Sequence, residues 1–242
     1  MMPITHDAKE VAHSEAVKAM FSGIAGRYDL LNHLLSLNID KSWRRKVRVR
    51  LADILENKNA LVLDVACGTG DLAIELQRGA VAKVIGTDFC RPMLEIAQQK
   101  NGTGVGYIPY IEGDAMVLPF ADDSFDAVTI AFGLRNLPNY PSGLKELRRV
   151  LKPAGRLAIL ECSSPSLPGF REIYKLYFER ILPHIGGVIS GNRGAYTYLP
   201  NSVSKFPDKK TLAAMMGEAG FKDVSFQSLT GGTAAIHVGS KR

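Results

Sequence analysis

Residues 62–73, VLDVACGTGDLA, carry the densest chemical signal in the chain, a buried apolar strand that runs through a glycine turn into a helix. Gly68 and Gly70 stand where a nucleotide-like ligand can approach bare backbone, since glycine has no Cβ and tolerates positive φ. Read as Gly68-x-Gly70-x-x-Ala73, the turn fits the relaxed dinucleotide fingerprint. Asp88, 88 − 70 = 18 residues beyond the second glycine, would then be the ribose carboxylate. Spacing therefore permits an NAD-dependent oxidoreductase. Electrostatics opposes it: a dinucleotide lays its pyrophosphate on the helix N-terminus, yet Asp71 opens this helix and Asp64 closes the preceding strand. A cation without phosphate suits those carboxylates better, and S-adenosylmethionine, with its ammonium and sulfonium, is one. The remaining alternative is an ordinary strand–helix turn with Asp71 as a cap.

Asp88 ends the second strand in VIGTD, from where a carboxylate accepts hydrogen bonds from both ribose hydroxyls. Asp114 ends the third in IEGDAMVLPF, where it can take the adenine amino group while the Ala115 backbone N–H meets a ring nitrogen. Acidic residues often end strands for solubility alone. Three such strand ends in chain order, all meeting one crevice, favour the cofactor reading.

The elements that must position these residues follow from periodicity. ALVLDV, AKVIGTD, YIPYIEGD, SFDAVTIAF and GRLAILEC read as strands, and DLAIELQR, PMLEIAQQK and GLKELRRVL as the helices between them. That alternation predicts a parallel sheet covered by helices. REIYKLYFERIL and DKKTLAAMMGEAG read as further helices. FKDVSFQSL and TAAIHVGS, joined at Thr230-Gly231-Gly232, read as an antiparallel hairpin. Residues 1–57 read as an N-terminal helical segment capping the substrate, and 58–242 as the cofactor-binding domain.

Composition sets outer bounds. With 242 residues, 46% apolar and 22% charged, the chain can bury a core without disulfides or a structural metal. Cys67, Cys90 and Cys162 fit no metal-ligand spacing, so no metal and a reduced cytoplasmic compartment are expected. No apolar run is long enough to span a bilayer, and the polar start lacks the apolar core of a secretion signal. The net charge is +6, concentrated in Lys41, Arg44, Arg45, Lys46, Arg48 and Arg50 around Trp43. Such a helix is either a solvated basic face packed by Trp43 or a contact for an anionic surface.

LDVACGTGD, GTDFC and EGDAMVLPF resemble the class I S-adenosylmethionine-dependent methyltransferases. Their fold is a doubly wound, Rossmann-like α/β sheet, seven-stranded and mostly parallel, closed by a reversed C-terminal hairpin strand. FGLRN (132–136), YDLLNHLLSLNIDKSW (28–43), RVLKPAGRLAILECS (149–163) and the ending GFKDVSFQSLTGGTAAIHVGSK are similar to the C-methyltransferases of menaquinone and ubiquinone biosynthesis. The resemblance implies methyl transfer to a ring carbon of a prenylated quinol. KFPD (205–208) favours demethylmenaquinol over the alternative, a benzoquinol. It implies Thr69, Asp88, Asp114 and Ala115 as cofactor contacts, beside Asp64, Gly68 and Gly70 of the turn. The residues around FGLRN would face the methyl group and the quinol. Three positions depart from the family: Asp40 replaces a histidine, Ala154 a glycine and Ala131 a serine.

Ring methylation needs a hydroquinone made electron-rich by loss of a phenolic proton. Arg135 is the first catalytic candidate, as a fixed cation near the ring oxygen, and Asn136 the second, orienting the same hydroxyl. His33, His184 and His237 are weaker candidates as bases. Pro183–Pro207, with Tyr196 and Tyr198, has the composition of a cover over an apolar substrate, and Phe21, Tyr28 and Leu31 could line an isoprenoid path. Because such a quinol resides in the bilayer, the basic helix is expected to touch an anionic membrane surface peripherally. Nucleic acid is not expected as a partner, since no aromatic stacking platform accompanies the basic segment.

Overall fold

Apolar side chains alternate with period two along each central strand, so both faces of the sheet demand cover, and helices supply it. The computed structural model describes residues 7–36, 38–101, 106–163, 165 and 193–242. Its strands are β1 (Leu61–Val65), β2 (Lys83–Asp88), β3 (Tyr110–Glu112), β4 (Phe125–Ala131), β5 (Leu151–Cys162), β6 (Phe221–Leu229) and β7 (Ala234–Lys241). They form one seven-stranded sheet in the order β3-β2-β1-β4-β5-β7-β6. β1 to β5 are parallel, and β7 runs antiparallel to both β5 and β6. The reversed hairpin is therefore as expected, turning through Thr230–Gly232. The order reverses between β1 and β4, the place where an open α/β sheet binds its ligand beyond the carboxyl ends of the strands.

The described helices are α1 (Ala8–Ile24), α2 (Tyr28–Leu35), α3 (Ile39–Arg50), α4 (Ala52–Leu55), α5 (Asp71–Gln77), α6 (Arg91–Lys100), α7 (Tyr140–Val150), α8 (Arg193–Lys205) and α9 (Lys209–Glu218). On one face Val62, Val84, Ala127 and Ala158 pack against Leu72 and Leu76 of α5 and Val47 of α3. On the other, Leu63, Val65, Val128 and Ile159 meet Leu144 and Leu147 of α7 and Leu212 and Met216 of α9. Each of the valine, leucine, isoleucine and methionine side chains among them contributes roughly 1.5–3 kcal/mol when fully buried. Caps fix where these helices start. Asn139 accepts the Ser142 N–H at 3.0 Å to open α7, and Asp208 accepts those of Lys210 and Thr211 to open α9.

Two expectations change in form. The basic segment is α3, and Trp43 packs it as expected, but its inward stripe is Asp40, Trp43, Arg44 and Val47, so Arg44 is buried rather than solvated. Trp43 packs on Phe132 with ring centroids 6.1 Å apart and donates its indole N–H to Thr230 Oγ1 at 2.9 Å. The Pro183–Pro207 segment is helical over Arg193–Lys205. Its first part, including His184, lies outside the described residues, as do REIYKLYFERIL and the side chains of Leu31 and Tyr196.

Candidate active site

At the end of β1, Asp64 pairs in register with Thr129 of β4, whose hydroxyl donates to Asp64 Oδ1 at 2.7 Å. The other oxygen, Oδ2, is buried without a partner. Burial pushes the carboxyl up to about 7, against the Thr129 hydrogen bond, the Arg44 charge and the nearby Ala73 backbone N–H, which favour ionisation. At the end of β2, Asp88 accepts the Gly68 N–H on Oδ2 and the Cys90 N–H on Oδ1, each at 2.8 Å. Burial raises it to about 6, and these backbone donors hold it from rising further. Asp114, past β3, accepts the Met116 N–H at 2.8 Å, which closes the turn that sets Ala115.

These residues meet. Gly68, Asp88, Asp114, Ala115 and Asn136 line one crevice, with Phe21, Tyr28, Met93 and Phe132 as apolar wall. An adjoining recess, sharing Tyr28, Gly68 and Phe132, is lined by Asp64, Thr69 and Arg44. Gly70 and Arg135 are in neither lining. Gly70 has φ 84°, and a Cβ there would collide with the Tyr110 hydroxyl and sit 3.1 Å from Ala97 Cβ. This second glycine thus serves close packing behind the loop, whereas Gly68 faces the ligand space. Ala66 and Phe132, just past β1 and β4, hold φ of 51° and 57°. Such left-handed backbone at non-glycine residues costs on the order of 1–3 kcal/mol and concentrates at functional sites.

Asp71 differs from expectation. Lys100 Nζ lies 2.9 Å from it, Arg44 Nη2 3.4 Å and His33 Nε2 3.6 Å, so its charge is already met. The case for a cationic ligand therefore rests on Asp64 and Asp88. Asp40 takes Arg44, the His33 ring at 3.0 Å and the Ser36 hydroxyl at 2.6 Å. His33, Asp40 and Asp71 have the ligand types for a metal ion, but Arg44 already places a cation between the two carboxylates. Thr69 donates its hydroxyl to Asp29, which also pairs with Lys100. The network thereby straps α2 and α3 onto the glycine loop.

The FGLRN segment forms a 3-10 turn, Leu134–Asn136. Arg135, 8% exposed, donates from Nη1 to Phe132 O at 2.6 Å and to Glu161 Oε2 at 2.9 Å, and its backbone N–H reaches Glu161 Oε1 at 3.1 Å. Burial works against its charge, and Glu161 more than offsets that, so Arg135 stays protonated. Its cation is thus half of an ion pair rather than a free charge. Asn136 donates to Phe132 O at 3.2 Å and accepts the Tyr198 hydroxyl from α8 at 3.0 Å. His13 Nε2 of α1 lies 3.1 Å from the Asn136 carbonyl. Arg135, His13 and Tyr198 line an open surface groove that shares Leu137 and Pro138 with the crevice. His237, 2% exposed, is bonded through Nε2 to Lys209 O at 2.8 Å, and its pKa is lowered by burial. It lies in the core of β7. Glu161, Asp29, Lys100 and His13 are not singled out by motif. Glu161 alone carried a usable signal, since it ends its strand in LAILEC as the three aspartates end theirs.

The model of the ubiE/COQ5 methyltransferase family matches residues 9–241. The demethylmenaquinone methyltransferase of Thermus thermophilus is 52% identical over 223 residues, 92% of this chain and 100% of that protein. That of Deinococcus radiodurans is 49% identical over 229 residues, 94% and 93% of the two chains. Among solved structures, a Thermotoga maritima SAM-dependent methyltransferase aligns with TM-score 0.64 at 18% identity, covering 93% of this chain and 99% of the other. The magnesium protoporphyrin IX methyltransferase of Synechocystis PCC 6803, with bound SAH, aligns with TM-score 0.57 at 21% identity and 84% coverage of both. These two likenesses concern the fold, whereas the match along nearly the entire sequence goes further: the chain belongs to the ubiE/COQ5 methyltransferase family.

Proposed function

We propose that this protein transfers the methyl group of S-adenosylmethionine to a ring carbon of a prenylated quinol, converting demethylmenaquinol to menaquinol. The observation that carries the reading is the 52% identity, over 92% of the chain, to a protein named for that reaction. The crevice agrees with it. The unpartnered Asp64 Oδ2 is a buried acceptor awaiting a donor, a condition that costs about 1–3 kcal/mol and that an ammonium would relieve. Asp88 would hold the ribose hydroxyls, Asp114 and Ala115 the adenine edge, and the bare Gly68 backbone the chain between. Bound there, the cofactor supplies an electrophilic sulfonium methyl. A dinucleotide fits poorly, because its pyrophosphate would lie on the glycine turn beside the buried Asp64 carboxylate.

The chain's own residues orient the quinol and keep it dry. Asn136 is the polar group shared by the crevice and the turn, suited to hold a ring hydroxyl. Arg135, next to it, supplies positive potential tempered by Glu161, which favours phenolate character without accepting the proton itself. Phe21, Tyr28, Phe132 and Leu137 exclude water around them. The decisive experiment incubates the chain with labelled S-adenosylmethionine and reduced demethylated naphtho- and benzoquinones, read by mass spectrometry. Label on the naphthoquinol ring is expected. Label on the benzoquinol alone would move the chain to the ubiquinone branch, and label on neither would end the reading.

A quinol with an isoprenoid tail must be met at a bilayer. No helix among the described residues is long and apolar enough to cross a membrane. The outer side of α3 instead exposes Lys41, Arg45, Lys46 and Arg50 around Val49, 68% exposed. The Arg50–Gln227 hydrogen bond, 2.9 Å, ties that side to edge strand β6. This surface suits peripheral contact with anionic lipid at the cytoplasmic face. Lys41, Arg45 and Lys46 changed together to Gln should weaken co-sedimentation with anionic vesicles by roughly tenfold or more, at about 1 kcal/mol per charge. Equal binding would return α3 to a merely solvated helix.

A further inference from the structure

Glu161 ends β5 as Asp64 ends β1, yet its acceptors are spent on the protein. The carboxylate is 1% exposed. Oε1 takes the Arg135 backbone N–H at 3.1 Å, and Oε2 takes both Arg135 Nη1 at 2.9 Å and the Cys162 N–H at 3.0 Å. All three neighbours are donors, so the site demands a group that only accepts. A glutamine would set its own N–H against a donor whichever way it turned. One side chain thus grips Arg135 at both its backbone and its guanidinium, while Phe132 O, a residue in left-handed conformation, takes a further bond from the same nitrogen at 2.6 Å. Arg135 Nε, also buried, has no partner. A buried ion pair is weak support for stability, because desolvation offsets its attraction and an apolar pair can replace it. Its presence beside the crevice fits a demand for fixed geometry.

We infer that Glu161 is a positioning residue for methyl transfer: acting through Arg135, it locks the Leu134–Asn136 turn so that Asn136 meets the quinol in a single arrangement, with the guanidinium charge fixed behind it. The inference rests on the quinol methylation proposed above. Small displacements of an orienting group suffice to lower turnover by about 10²-fold, so the effect belongs in kcat.

The test compares the full chain with Glu161→Gln, Glu161→Asp, Arg135→Ala and the Glu161→Gln/Arg135→Ala pair, using S-adenosylmethionine and a reduced demethylnaphthoquinone. Glu161→Gln should lower kcat by about 10²-fold while cofactor Kd stays within about threefold. In the Arg135→Ala background the same change should lower kcat by less than about twofold, because its route is already cut. Glu161→Asp, still acceptor-only, should retain more turnover than Gln. Losses that multiply in the double variant, or a Glu161→Gln chain with parental kcat, overturn the inference. Should Glu161→Gln fail to fold, Glu161→Asp with and without Arg135→Ala gives the same comparison. Proton exchange at Arg135 Nε–H, assigned by its loss in Arg135→Lys, needs no substrate. It should be slow in the parent and roughly tenfold faster in the Glu161 variant, and unchanged exchange overturns the inference as well. A parent chain that methylates no quinol sinks the functional reading instead, and the exchange rate still decides whether Glu161 holds Arg135.

Discussion

At the ends of β1, β2 and β3 the crevice is walled by carboxylates that the backbone places, whereas beyond β4 and β5 it is closed by a turn that other side chains place, Asn136 lining it and Arg135 standing behind. Asp64 and Asp88 need only their strands and the glycine loop: register sets Asp64 beside Thr129, and the loop N–H of Gly68 meets Asp88. Arg135 and Asn136 need a carboxylate 26 residues away, a tyrosine from α8 and a histidine from α1. The first wall is suited to holding a constant cofactor. The second can change with the helices that lean on it, and so with the substrate.

If that division is right, the largest kinetic effect should come from the second wall and leave cofactor binding alone. Arg135→Ala is expected to lower turnover by about 10²–10³, the size seen when one preorganised electrostatic donor is lost, with cofactor affinity within about threefold. Arg135→Lys keeps charge but replaces the planar, pre-organised guanidinium, whose Nη1 serves Phe132 O and Glu161 at once, by a flexible point charge, and should fall between. Turnover of the alanine variant should recover in part as pH rises, since the hydroquinone then ionises unaided. Stopped assays across pH, alongside calorimetric titration of the cofactor, check this. A loss of cofactor affinity as large as the loss of turnover would merge the two walls into one.

The converse belongs to Asp88. Asp88→Ala removes a charged acceptor, with each such hydrogen bond contributing about 1.5–3 kcal/mol, so cofactor affinity should fall by roughly tenfold or more. Turnover at saturating cofactor should change far less. Unchanged affinity in a folded variant would reduce Asp88 to a clasp for Gly68.

The same division explains what the sequence disclosed. Period-two runs, glycine turns and strand-end acids are local, so the sheet, its reversed hairpin and the carboxylates at 64, 88 and 114 were legible from it. Burial within a helix is not local. Nothing in KSWRRKVRVR says that Arg44 turns inward to Asp40 and Asp71 while Arg45 stays out, because the apolar stripe that decides it includes charged residues whose partners lie on α2 and α5. Likewise Asp71 looked like a lone repulsive charge until α6 brought Lys100 and α3 brought Arg44 to it. The pairing of Arg135 with Glu161 needs the β4–β5 register, which no motif states.

Within the first wall, Asp64 should sense pH. Its pKa of about 7 without ligand means that a cation must bind against a proton. Cofactor affinity should therefore rise with pH, by at most about tenfold per unit well below 7, and level off before the cofactor's own amino group loses its proton near about 8. Asp64→Asn should flatten that rise above about pH 6, below which Asp88, itself raised to about 6, still takes a proton. A pKa raised on folding gives stability that is full below the unfolded value and lost as pH rises through about 7. At about pH 8 the penalty is complete, on the order of 1–4 kcal/mol. The asparagine variant, still able to accept from Thr129, should accordingly melt higher than the parent there without ligand while binding cofactor less well. A lower Tm would mean that the Asp64 charge is already compensated in the empty crevice.

The smallest effect lies far from both walls. Ala154 holds φ 63°, a left-handed conformation that it shares with Ala66 and Phe132 at the crevice. There the strain shapes the site, but at 154 it falls in the KPAG bend near the start of β5, where the family resemblance has glycine. Left-handed backbone costs a non-glycine residue about 1–2 kcal/mol, and glycine's greater freedom in the unfolded chain takes back about 0.5–1 kcal/mol. Ala154→Gly should thus stabilise the protein by roughly 0.5–1 kcal/mol, raising Tm by about 1–4 °C for a chain of this size. Neither kcat nor cofactor affinity should move, since the bend contributes no residue to the crevice lining. Calorimetry and steady-state kinetics on the one variant decide both halves. An unchanged Tm would show that the bend carries no strain, and a changed kcat would show that the start of β5 communicates with Glu161 at its end.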